Sequence, residues 1–200
     1  MTDNAFFTVN VRKYIEQGKE GEKLLNRLLA DYACPHNPDV ERFLHNQAID
    51  FTKRSQSVSY LLFANIDEKL LAYFTLAIKP ISVNAANFSN TMRKKIERIS
   101  EVNEQTGEYI LSAYLIAQLA KNFKNGMNER ITGENLLQAA LDEIYSLRYK
   151  AGGTVVFLEA DNVPPLLNFY ETNGFKQFSV RKRRSGGEET GKLVQLLKVM

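Results

Sequence analysis

Cysteine is almost missing from this chain. Cys34 stands alone among 200 residues, so no internal disulfide can close and no cysteine cluster can hold a metal. A reducing compartment fits that usage, and the expected location is cytoplasmic. Histidine is scarce too. His36 and His45 have no ligand partners near them in sequence, so both read as surface or helix residues and no metal is expected. No apolar run approaches the ~20 residues that span a bilayer. The start, Met1-Thr2-Asp3-Asn4-Ala5, lacks the basic-then-apolar order of a leader, so no membrane partner is expected. Charge of one sign is also lacking: 26 basic against 23 acidic residues leave +3, a weak argument for nucleic acid. Internal repeats and low-complexity segments are absent.

What is present suits one compact domain over residues 1–200. The 44% hydrophobic share can fill a core, and this length falls below the size at which chains usually divide. Basic residues gather at Arg93, Lys94, Lys95 and Arg98 and again over 181–184; both runs read as solvated surface.

The pattern predicts mixed α/β structure. Leu24, Leu25, Leu28, Leu29 and Tyr32 recur at helical spacing. After a turn at 34–38, Pro38 opens a second helix with an apolar face of Val40, Phe43, Leu44, Ala48 and Phe51. Residues 60–64 and 70–78 read as an antiparallel hairpin. Ser89 caps a short basic helix. The long apolar run 109–120 reads as a strand buried on both faces. A strong amphipathic helix opens at Gly133 and stops at Gly152-Gly153. A strand over 154–158, a helix from Pro164-Pro165 to Asn173-Gly174, and a strand pair over 175–180 and 193–199 around the loop 185–191 complete the order. Phe6-Phe7 is expected to dock the N-terminus onto the body.

The segment 115–141 runs strand, loop, helix. Its turn reads Arg130-Ile131-Thr132-Gly133-Glu134-Asn135-Leu136. The first N–H groups of a helix lack partners and carry positive partial charge, so they attract phosphate. Arg130 could add charge-assisted hydrogen bonds. An ordinary connecting loop is the competing account, in which Glu134 serves only the helix dipole.

Together with Phe169-Tyr170-Glu171-Thr172-Asn173-Gly174-Phe175, this turn resembles the signatures of the GNAT N-acetyltransferases, in a poorly characterised bacterial branch. The first signature, Gln/Arg-x-x-Gly-x-Gly/Ala, is filled by Arg130, Gly133 and Asn135, with Asn135 replacing the usual small residue. The second matches throughout. More loosely, 34–48 is similar to GNAT toxins that acetylate aminoacyl-tRNA.

The resemblance implies a partly antiparallel central sheet splayed between two parallel strands, here 109–120 and 154–158, and flanked by helices. It implies acetyl-CoA as donor, with Leu119, Ala120 and Lys121 along the pantetheine arm. The N–H groups of Ile131, Thr132, Gly133, Glu134, Asn135 and Leu136 would hold the pyrophosphate beside Arg130. Asn162 would meet the pantetheine amide, and Phe169 would lie beside the cofactor. Tyr170 becomes the general acid that protonates the leaving thiolate; its alternative is a core aromatic with a satisfied hydroxyl. Glu108, Glu159 and Asp161 stand at strand ends, where carboxylates are usually solvated or paired. Cys34 reads as a small buried residue. The expected acceptor is a small-molecule or protein amine, with tRNA as the second candidate. A homodimer, joined through the apolar strand 193–199, is compatible with the family. A degenerate acyl-CoA binder and a plain interaction module remain alternatives of another class.

Overall fold

The computed structural model describes residues 5–185 and 188–200. Residues 1–4, read above for a leader, and Gly186-Gly187 of the expected C-terminal loop lie outside the described residues. In chain order the elements are β1 (Phe6–Asn10), α1 (Arg12–Ile15), α2 (Gly18–Leu29), α3 (Pro38–Asn46), α4 (Ala48–Lys53), β2 (Val58–Ala64), β3 (Leu70–Asn84) and α5 (Asn90–Ile96). The second half adds β4 (Val102–Asn103), β5 (Glu108–Lys121), α6 (Gly133–Ala151), β6 (Val155–Asp161), α7 (Pro164–Thr172), β7 (Lys176–Ser185) and β8 (Glu188–Val199). The strands hydrogen-bond in the order β1-β2-β3-β5-β6-β8-β7, with β4 on β5. This is the mixed α/β, mostly antiparallel architecture that the motifs imply. Its parallel pair is β5 with β6, whose ladder covers only Ala113–Ile116 against Val155–Leu158. β6 continues to Asp161, paired there with β8.

The chain forms two compact units: residues 1–77 with 117–147, and residues 78–116 with 148–200. The long strands β3 and β5 are each divided between the two. In the first unit, β1 pairs antiparallel with β2 and β2 with β3. The docking expected of Phe6-Phe7 is thus a strand, with the Phe7 ring stacked on Phe63 at 5.7 Å. Leu25, Leu29, Tyr32, Leu44, Leu61 and Tyr73 are almost wholly buried in one cluster. Gly21 lets α2 lie against α1, because a Cβ there would stand 2.0 Å from the Tyr14 carbonyl oxygen.

The single helix expected over 38–51 is two. Pro38 opens α3, as the sequence suggests, and the Asn37 side chain caps it by accepting from the Val40 N–H. At Gln47 the backbone leaves helical φ/ψ (φ −128°) and restarts as α4. Periodicity alone does not separate these outcomes, since both bury Phe43, Leu44 and Ala48.

The second unit packs Ile81, Val83, Phe88, Ile96, Tyr109, Leu111, Phe157 and Phe178 into its own core. Ser89 caps α5 by accepting from the Met92 N–H. The expectation that β5 is buried on both faces fails over 110–112: Ile110 is 68% exposed and Ser112 is exposed, while Tyr109 and Leu111 face the core. Apolar composition marked the run as a strand, but at this end only one face is covered. Strands β7 and β8 extend well into the expected loop, reaching Ser185 and starting at Glu188. Both edges of β8 are already paired, with β6 and with β7, so joining two copies through it would require β7 to leave.

Candidate functional site

In the first unit, the end of β5 leads through a 3-10 segment at Lys124–Arg130 into α6. Asn125 and Gly126 take left-handed backbone angles there, accommodating the extra loop length. Lys121 braces the loop: its ammonium donates to the carbonyls of Asn128 (2.9 Å) and Ile131 (3.2 Å). Leu119 and Ala120 are half-buried. Behind them sits a residue the sequence does not announce. Asn122, 1% exposed, accepts from the N–H groups of Ala33 and Lys124 and donates to the carbonyls of Asp31 and Leu70.

The α6 start is partly used by its own chain. Thr132 is the N-cap: its hydroxyl accepts from the Asn135 N–H at 3.0 Å and donates to the Asn135 side-chain oxygen at 2.8 Å. The Leu136 N–H bonds the Thr132 carbonyl at 3.2 Å. Among the described residues the N–H groups of Ile131, Thr132, Gly133 and Glu134 have no protein partner. The anion-binding capacity of this turn therefore rests on the amides from Ile131 to Glu134, while those of Asn135 and Leu136 are already engaged. Asn135, the departure from the family pattern, turns its amide back to Thr132.

Arg130 is engaged as well. Its guanidinium forks onto Asp67 in the β2–β3 turn, at 2.9 and 3.0 Å. The paired guanidinium holds the Asp67 carboxyl below its ordinary value, and the carboxylate in turn raises Arg130. Sequence gives no hint of this pairing across 63 positions. The Asp67 partner is the feature that sequence reasoning missed here.

In the second unit, the motif 169–175 is a helix ending. The Phe175 N–H bonds the Tyr170 carbonyl at 3.0 Å, and the Gly174 N–H bonds that of Glu171 at 3.0 Å. This double closure is a Schellman cap, which needs a left-handed residue after the helix; Gly174 supplies φ +86°. The apolar residue after the glycine packs back on the helix, with the Phe175 ring 5.9 Å from Tyr170. Lys198 adds a cation at the same end, donating to the Asn173 carbonyl at 3.0 Å.

The cap fixes Tyr170. Its ring is 7% exposed and lies 5.2 Å from Phe169. Its hydroxyl has no hydrogen-bond partner among the described residues, yet it is not one of the sealed, orphaned side-chain oxygens, as that of Thr154 is. Burial raises the phenol to about 12. Asn162 lies exposed in the bend before α7.

The strand-end carboxylates are all engaged. Glu159 accepts from Arg181 and from Gln195, Asp161 pairs with Arg183 at 3.0 Å, and Glu108 accepts from Ser82 at 2.7 Å. Arg181 and Arg183 are thus ion-paired rather than merely solvated, which corrects the reading of that run. Cys34 is buried, and burial raises its thiol, so it is poorly suited to act as a nucleophile. His45 bonds the Tyr32 carbonyl and His36 packs edge-on to Phe123. Among the described residues no three His, Cys, Asp or Glu side chains converge as metal ligands, and no helix is long and apolar enough to cross a membrane.

No protein-family model matches the chain, and no curated protein matches it. Among solved structures it is similar to AtaT complexed with acetyl-methionyl-tRNAfMet: 17% identity over 83% of this chain and 85% of that one, TM-score 0.58. A tyrosine-to-phenylalanine mutant of KacT aligns at 17% identity over 84% and 85%, TM-score 0.58. AtaTR bound with AcCoA aligns at 15% identity over 98% and 94%, TM-score 0.54. At such identities the likeness is one of fold.

Proposed function

We propose that this chain is an acyl-CoA-dependent N-acetyltransferase, carrying acetyl directly from acetyl-CoA to a primary amine, with residues 1–200 acting as one acyltransferase domain. The observation that carries this reading is Tyr170: a buried ring, held by a backbone cap, with a hydroxyl that no protein group occupies. The likeness in fold to AtaT and KacT supports it, and so do the free amides from Ile131 to Glu134, which suit a phosphate oxygen.

Bound acetyl-CoA supplies an activated thioester. Gly133 and Glu134 would hold its diphosphate by their N–H groups, with Arg130 as a further donor once it exchanges away from Asp67. Backbone at Leu119, Ala120 and Lys121, the Asn162 amide and the Phe169 ring would line the arm. Tyr170 donates its hydroxyl proton toward the leaving sulfur. A phenol near 12 facing a thiol of reference pKa about 8.5 transfers its proton uphill, so much of its effect comes from the hydrogen bond itself.

Thiol release with an amine panel tests this. Tyr170→Phe should lower kcat by ~10²–10⁴-fold while coenzyme A affinity stays within about twofold. A wild-type chain that binds coenzyme A but turns over no amine would instead be an acyl-CoA-binding module. One observation favours aminoacyl-tRNA as the amine carrier: the second unit holds 14 basic against 9 acidic residues, a surplus of +5. RNA binding that collapses between low and moderate salt would support it, and no binding at low salt would end it.

A further inference from the structure

We infer that the cavity on the sheet face of the second unit is the acceptor pocket, shaped for a primary amine carried on one apolar group rather than for a polyamine. This rests on the N-acetyltransferase reading. The cavity measures about 380 Å³. Ile81, Leu115, Phe157 and Phe178 make its apolar surface, and Phe157 and Phe178 are each only 4% exposed. Phe178 reaches this face from a β-bulge: the register of β7 on β8 slips between Gln177 and Ser179, and such slips re-aim a side chain. Asn87 holds the bulge by donating to the Phe178 carbonyl at 2.8 Å.

At the polar end stands Glu159. Arg181 and Gln195 occupy one acceptor position on each carboxylate oxygen, and a carboxylate has about four, so a third donor can be received. Glu159 also follows directly on Leu158, the last β6 residue paired with β5. An amine received there stands where the parallel ladder has ended. Lys79 and Arg181 line the same cavity, so its second and later charges would meet cations. A single ammonium is tolerated at Glu159; spermidine's further ammonium groups are not.

The test titrates the full chain, without coenzyme A, with 2-phenylethylamine and with spermidine, reading Kd by calorimetry. Phenylethylamine should bind at least about tenfold tighter, and Phe178→Ala should cost it roughly tenfold, the scale of apolar pocket discrimination. Lys79 is exposed, so Lys79→Glu should fold normally and bring spermidine several-fold closer. Spermidine binding as tightly as phenylethylamine, or a preference unmoved by Lys79→Glu, overturns the inference. A separate coenzyme A titration bears on the acetyltransferase reading alone, so the two failures are told apart.

Discussion

Arg130 and Asp67 hold each other by two hydrogen bonds, and the proposed diphosphate site at Gly133 follows three residues after Arg130 in the chain. Anion binding there competes with the carboxylate. Removing Asp67 frees the guanidinium and deletes a like charge, so Asp67→Ala should tighten coenzyme A binding several-fold. Arg130→Ala should weaken it about tenfold, by loss of charge-assisted hydrogen bonds. Calorimetry on both variants checks the signs; tightening in Arg130→Ala would remove Arg130 from the site. Arg130 stands out in the sequence by its place before Gly133, but its Asp67 partner does not, because ion pairs between distant turns leave no periodic trace in a sequence.

At the scale of elements, legibility followed the range of the forces. The ending of α7 could be read from Phe169 to Phe175 because every bond of the cap closes within six residues, and only glycine takes φ +86° at low cost. The Pro38 start of α3 was legible for the same local reason. Asn122 was not, since its partners are up to 91 positions away. Its side chain satisfies four backbone groups at once, so Asn122→Ala should leave buried donors and acceptors unpaired and destabilise the first unit by about 3–5 kcal/mol. Urea unfolding would read this directly; a change within about 1 kcal/mol would mean that water replaces the amide.

For the molecule as a whole, buried phenols set an alkaline limit. Tyr60 and Tyr170 are each raised by burial to about 12, and Tyr32 and Tyr73 are raised further. The unfolded chain would ionise them near 10, so below that pH both states hold the same protons and stability is unaffected. Above it, only the unfolded state releases protons, and stability should fall as pH rises from about 10 through 12. Unfolding midpoints that stay level to pH 11.5 would contradict the burial of these rings. Strand order was legible in its hairpins, and the parallel pair came with the family resemblance rather than from patterning. The outermost position of β7 carries a last consequence. Arg181, Lys182 and Arg183 follow one another along a strand that ends the hydrogen-bonded order, a place where main-chain groups would otherwise invite a second chain to add on. Arg181 and Arg183 are balanced by Glu159 and Asp161, so a second chain adding on there must displace long ordered side chains rather than overcome bare repulsion, and self-association by that route should stay weak with little response to added electrolyte.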